Sequence, residues 1–157
     1  MIVDDESLAL SRLKRLLNEN GVEDITAFDN PIEALKEITK TKFDVVFLDI
    51  SMPNITGLEL ADSIIQLEPK TFIIFQTAYS EFALEAYKSG GMGYLVKPIE
   101  SNDIKNILEK VRNFKSSLNE ESKKILGKRG DKLYLIDIND IYYIKADLDE
   151  VIVLIKD

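Results

Sequence analysis

Cysteine and histidine are both absent from this chain of 157 residues. Their absence excludes thiolate catalysis, zinc sites of the usual ligand types and any Ser-His-Asp triad. A metal held here must be bound by oxygen, which suits magnesium, calcium or manganese. A histidine that the chemistry requires must come from another molecule. Long apolar runs are also missing. None approaches the length of a membrane span, and no basic-then-apolar segment opens the chain. The expectation is a cytoplasmic protein with no membrane partner, and the lack of cysteine agrees with a reducing compartment.

What is present is ordinary for a globular chain: 45% hydrophobic and 31% charged residues. The length suits one domain with a real core, or one domain plus a piece of another. The net charge of −8 is unevenly spread. Residues 1–114 hold 12 basic and 19 acidic residues, a balance of −7, while 115–157 hold 8 and 9. The acidic first part is a poor nucleic-acid surface. The second carries a basic cluster, Lys123, Lys124, Lys128, Arg129 and Lys132, read here as a solvated linker face.

Short apolar runs alternate with helical patterns up to residue 114. The predicted strands are Ile2-Val3 up to Asp4, Asp24 to Phe28, 43–48, Thr71 to Phe75, and Tyr94-Leu95-Val96. Between and after them the spacing predicts helices over 6–19, from Asn30 with Pro31 at its first position, over 57–67, from a Ser80 cap through Lys88, and over 101–117. Alternation of this kind implies an α/β fold, a parallel sheet covered by helices on both faces. Residues 115–124 are polar and read as a linker or a continuation of the helix. From Ile125 on, three further strand patterns (133–136, 141–144 and 151–155) have no helix between them. These 33 residues are too few to fold unaided and are expected to be part of an all-β second domain. Only Met1-Ile2-Val3 precede the first acids, which is short for a central strand, so a clipped start is also expected.

Polar residues recur where the apolar runs end: Asp4 and Asp5, Asp49, Thr77 and Lys97. In open parallel sheets, binding sites form beyond the carboxyl ends of the strands. Three carboxylates gathered there repel one another and raise at least one pKa unless a cation intervenes. Magnesium takes one or two carboxylates and keeps water or phosphate oxygens. A lysine and a hydroxyl add donors for an oxyanion, so the set suits phosphoryl transfer onto Asp49. Each residue also has a plainer reading: Asp4 and Asp5 as helix caps, Asp49 as a loop acid, Thr77 as a helix-start hydroxyl, Lys97 as a solvated cation.

The segments Val3-Asp4-Asp5-Glu6, Leu48-Asp49-Ile50-Ser51-Met52-Pro53, Thr77-Ala78 and Lys97-Pro98 resemble the receiver domain of bacterial response regulators. The resemblance covers residues 1–114. It implies a flavodoxin-like fold of five strand–helix units with sheet order 2-1-3-4-5, and a receiver rather than an enzyme that turns over substrate. It implies Asp49 as the phosphoacceptor. Asp5, Asp49 and the backbone carbonyl of Ser51 would bind Mg2+, or Mn2+ or Ca2+ in its place, with Asp4 acting through water. Thr77 and Lys97 would contact the phosphoryl oxygens, Tyr94 would be the switch aromatic, and Lys97–Pro98 would be a cis peptide. Implied partners are a sensor histidine kinase, a second copy of the chain on phosphorylation, and DNA through an output domain. The run from Thr77 to Tyr87 is similar to receivers of the LytTR class, and 125–157, with Asp140 to Ala146, resembles the first strands of a LytTR DNA-binding domain. Gly91 and Gln76 depart from that pattern, which favours Ala and an apolar residue. Neither is expected to carry chemistry, so both bear on the expected local packing rather than on function.

Two other functions fit the same order of elements. A Mg2+-dependent phosphohydrolase of the haloacid dehalogenase type needs a second Asp two residues after the first, where this chain has Ser51. A flavin-binding module needs a neutral phosphate loop after the first strand, where this chain has Asp4-Asp5-Glu6.

Overall fold

A computed structural model describes residues 1–121, 124–129, 132–137, 140–147 and 150–155. The described elements open with β1 (Ile2–Val3), α1 (Ser7–Glu19), β2 (Ala27–Phe28), α2 (Pro31–Ile38), β3 (Val45–Asp49) and α3 (Gly57–Leu67). They continue with β4 (Phe72–Thr77), a 3-10 turn at Ser80–Phe82, α4 (Ala83–Lys88), β5 (Gly93–Val96) and α5 (Ser101–Glu121). The five strands form one parallel sheet in the order β2-β1-β3-β4-β5. The alternation predicts the parallel α/β sheet, and the order is the flavodoxin-like 2-1-3-4-5 that the family resemblance implies.

Successive strand residues point to opposite faces, and both faces are buried. Val3, Val46, Leu48, Ile73 and Phe75 pack on one side with Ala34 and Ile38 of α2 and with Leu60 and Ile64 of α3. Ile2, Phe47, Ile74 and Leu95 pack on the other with Leu13 and Leu17 of α1 and with Ile104 and Leu108 of α5. Two helix starts are fixed by side chains. Asn30 Oδ1 accepts a hydrogen bond from Ile32 N at 2.9 Å, with Pro31 following it. Thr56 and Glu59 form a reciprocal capping box at α3, which satisfies donors that the helix itself leaves open.

Several boundaries differ from the sequence reading. The strand expected from Asp24 shrinks to Ala27–Phe28, because β1 offers it only Ile2 and Val3 as partners. Conversely, β3 takes in Asp49, and β4 runs on through Gln76 and Thr77, which pair with Leu95 and Val96. Ser80 is not a helix cap. It lies within the 3-10 turn, whose cap position is Tyr79 without a side-chain bond.

Gly91 does not loosen its surroundings. A Cβ there would meet Ala86 O and the Phe75 ring at 2.7 Å, so its bareness allows a close approach that alanine would force apart.

The chain divides into two compact units, Met1–Val111 and Arg112–Asp157. The second contains the end of α5 and two antiparallel hairpins. One joins β6 (Lys124–Arg129) to β7 (Lys132–Asp137). The other joins β8 (Ile141–Asp147) to β9 (Glu150–Ile155), with a register shift between Ile141 and Tyr143. Lys124, Lys128, Arg129 and Lys132 thus sit on paired strands rather than on a linker, because β6 finds β7 as a partner. Lys123 lies outside the described residues.

The double-faced core is testable by truncation. Ile64 is fully buried, whereas Leu67 on the same helix is half exposed. Ile64→Ala should cost about 2–5 kcal/mol in chemical denaturation. Leu67→Ala should cost well under half of that.

Candidate functional site

Parallel pairing brings four distant residues to one rim. The register sets Asp49 of β3 beside Gln76 of β4, and Thr77 beside Val96 of β5. Lys97 follows directly, and its N–H bonds Thr77 O at 2.8 Å. At the other side, Asp4 follows β1 and its N–H bonds Phe28 O. The Lys97–Pro98 peptide is cis.

The Lys97 ammonium stands between two acids. Its Nζ lies 2.7 Å from Asp4 Oδ2 and 2.8 Å from Asp49 Oδ1. Asp4 is wholly buried and Asp49 nearly so. Asp4 Oδ1 also accepts from Glu6 N at 3.0 Å, and Asp49 Oδ2 accepts from Ser51 N at 2.9 Å. Asp5 is exposed. Carboxylate oxygens of Asp4, Asp5 and Asp49 lie within 4.8 Å of one another.

The plainer readings of these acids do not describe the geometry. The cap position of α1 is Glu6, without a side-chain bond. Lys97 is an ion-pair partner rather than a solvated cation. Thr77 is buried within β4. Its hydroxyl oxygen accepts from Tyr79 N at 3.3 Å, and the Tyr94 hydroxyl donates to the Tyr79 carbonyl oxygen. The backbone of Tyr79 therefore links Thr77 to Tyr94.

Burial pushes the Asp49 carboxyl above its ordinary range, and Lys97 offsets only part of this while Asp4 adds to it. Burial also works against the Lys97 charge, but the two carboxylates outweigh it and raise the lysine pKa. Crowding of acids is thus a minor cause at Asp49, and loss of water is the major one.

The donor set fits a hard divalent cation. Three acids cluster where one lysine bonds two of them, all the donors are oxygen, and the exposed Asp5 is accessible to an ion with its own water shell. Gly57 supports the same corner. A Cβ on it would stand 2.1 Å from Asp49 O, and its N–H bonds Ile50 O at 3.0 Å.

Gln76 is the site residue that sequence reasoning missed. It is buried, and its Nε2 donates to Asp4 Oδ2 at 3.2 Å. The available signal was an amide inside an apolar strand run, a placement that needs a bonding partner.

Two outcomes follow from the charge balance. Asp49 with a raised pKa binds its proton more tightly in the folded state, so its contribution to stability falls as pH rises through the folded value. Asp49→Asn should therefore raise the unfolding midpoint at pH 7, with the gain shrinking toward pH 4. Lys97→Met leaves two buried acids without their cation and should destabilise by about 3 kcal/mol at neutral pH, less in acid. Thermal melts across pH check both. Gly57→Ala should lower the midpoint as well, because the Asp49 carbonyl must move.

Residues 1–109 match the family model of the response regulator receiver domain. A response regulatory protein of Shewanella oneidensis is 38% identical over 160 residues, covering 94% of this chain and 65% of that protein. The transcriptional regulatory protein BtsR of Salmonella typhi is 32% identical, covering 98% of this chain and 67% of its own length. The chain thus spans about two thirds of the length of these curated relatives. A solved structure of the Thermotoga maritima response regulator TrrA, in complex with Mg2+-BeF, is 36% identical with a TM-score of 0.63, over 70% of this chain and 95% of that one. With the family matched over most of the chain, and the sheet order and acidic rim in agreement with it, this chain belongs to the response regulator receiver family.

Proposed function

We propose that this chain is the phosphoacceptor part of a two-component response regulator, with Asp49 as the acceptor. The observation that carries the proposal is the Lys97 ammonium held between Asp4 and Asp49, with the Asp5 carboxylate beside them. In this reading a sensor histidine kinase presents a phosphohistidine. An Asp49 carboxylate oxygen attacks phosphorus, the P–N bond breaks and the P–O bond forms. The imidazole leaves with the electron pair. Burial strips water from the nucleophile, and the fixed cation offsets charge as it develops.

Asp5, Asp49 and the Ser51 carbonyl would hold Mg2+, with Asp4 acting through water and Mn2+ or Ca2+ as substitutes. The ion, when bound, neutralises the acids and the incoming phosphoryl oxygens. Asp4 suits an indirect role because all three of its described hydrogen bonds come from protein donors and it is wholly buried. Thr77 and Lys97 would then meet the phosphoryl oxygens. A shift of Thr77 is felt at Tyr79 N, and Tyr94 is bonded to the same residue, which supports Tyr94 as the switch aromatic.

The protein is read as a regulator rather than an enzyme. A hydrolase of the haloacid dehalogenase type needs a general acid at position 51, where Ser51 contributes a backbone N–H to Asp49 instead. Residues 1–114 form the receiver in this proposal, with 115–124 as helix extension or linker. Residues 125–157 are assigned to the beginning of a LytTR-like DNA-binding domain. The two hairpins support that assignment, as do relatives named transcriptional regulators. The setting is cytoplasmic; among the described residues no helix is long and apolar enough to cross a membrane. Phosphorylation would favour a homodimer that binds DNA.

Intact-mass spectrometry after treatment with acetyl phosphate and Mg2+ tests the reading. One phosphoryl adduct is expected on the wild type and none on Asp49→Asn or after chelation. An adduct that survives Asp49→Asn, or steady turnover of an aryl phosphate, would overturn it.

A further inference from the structure

Gln76 is an amide in a place built for hydrocarbon. It sits in β4 between Asp49 on one neighbouring strand and Leu95 on the other, and it is 1% exposed. A cleft of about 370 Å³ brings it together with Leu13, Leu16, Lys97 and Ile99. A buried amide is tolerated only with a partner, and Gln76 has one: its Nε2 lies 3.2 Å from Asp4 Oδ2. Lys97 Nζ holds the same oxygen at 2.7 Å. Two donors, one neutral and one charged, thus share one carboxylate oxygen.

The sharing matters when Lys97 moves. To contact a phosphoryl group on Asp49, Lys97 must loosen its hold on Asp4. Asp4 is wholly buried, and Gln76 Nε2 is the other protein donor that the structure places on that Oδ2. Without the amide, Oδ2 would lose its protein donors while Oδ1 kept Glu6 N, and a buried carboxylate oxygen left so would oppose the movement. The Gln76 amide carries no charge that the phosphoryl group could attract away, and it stays on Oδ2. We propose that Gln76 is a positioning residue that keeps Asp4 satisfied while Lys97 turns to the phosphoryl group, and so lowers the barrier to phosphorylation. This proposal rests on the phosphoacceptor reading of Asp49.

The test compares wild type, Asp49→Asn, Gln76→Met and Gln76→Glu in acetyl phosphate and Mg2+. With Gln76→Met the maximal phosphorylation rate should fall about tenfold, the scale of one hydrogen bond to a charged group. The Mg2+ concentration giving half the maximal rate should stay within about threefold, because Gln76 bonds the Asp4 oxygen that Lys97 holds, whereas Asp5, Asp49 and the Ser51 carbonyl are the direct ligands in this reading. A merely structural role would move both together and lower the unfolding midpoint. Gln76→Glu should be slower still, since it gives Lys97 another acid to hold.

Gln76→Met at the wild-type maximal rate would overturn the proposal, as would a loss confined to the half-saturating Mg2+ concentration. Absence of any adduct on the wild type would instead count against Asp49 as the acceptor, and the inference would fall with it. A measurement on the wild type alone covers variants that fail to fold. The Gln76 side-chain amide signals should shift when Mg2+ and beryllofluoride are added, yet remain protected from exchange. Unmoved or freely exchanging signals would overturn the proposal.

Discussion

One ammonium group ties the functional end of this molecule together. Lys97 follows the edge strand β5 and reaches the acids at the ends of β1 and β3, at 2.7 and 2.8 Å. Its single charge bonds two carboxylates of a cluster of three. Two negative charges are left over, and in a partly buried site water screens them poorly. Burial, with a smaller push from Asp4, holds the Asp49 carboxyl above its usual range although a lysine is bonded to it. Such a site is close to balanced by a divalent cation. In the proposed reaction a phosphoryl group would then bring new negative charge that redirects the lysine. The imbalance is therefore the working feature of the proposed switch, since a site already neutral would have little reason to respond.

Backbone geometry makes this placement possible. Residues 4, 49, 77 and 97 are far apart in sequence, and only a parallel sheet brings all of their strand ends to one rim. The strand order places β1 and β3 side by side at the middle, so their acids are neighbours. Gly57 lets the start of α3 press against the Asp49 carbonyl where any side chain would collide. The double-faced apolar core holds the strands in register. The acids can then sit buried at positions where a looser sheet would let them drift toward water.

Much of this was legible in the sequence because burial on both faces writes a plain pattern. The runs at 43–48 and 71–75 have few polar interruptions, and the helices carry caps such as Asn30-Pro31. What escaped depends on partners that sequence spacing does not reveal. Asp24 to Thr26 has strand character but no strand residues opposite it in β1. The basic cluster read as a linker because its pairing with β7 is a property of the hairpin, and Lys128 is exposed on that strand. Gln76 looked free of any role in the site because its bond reaches a residue 72 positions away. The acids at strand ends were visible, whereas the donors arranged around them were not.

The coupling from site to surface can be argued from one residue. Tyr79 uses its N–H on the Thr77 hydroxyl and its carbonyl on the Tyr94 hydroxyl. These two groups belong to the peptide planes on either side of one Cα, and peptide planes are stiff. If the proposed phosphoryl group draws the Thr77 hydroxyl away, the first plane loses its partner and only two soft dihedrals separate it from the second. The Tyr94 hydroxyl is bonded to that second plane, so its anchorage changes with the rotation. Tyr79, Leu84 and Tyr87 are exposed apolar side chains on the same stretch of chain. A change that begins at a buried hydroxyl thus has a short covalent path to a surface rich in apolar contacts, and no rearrangement of the core is needed along the way.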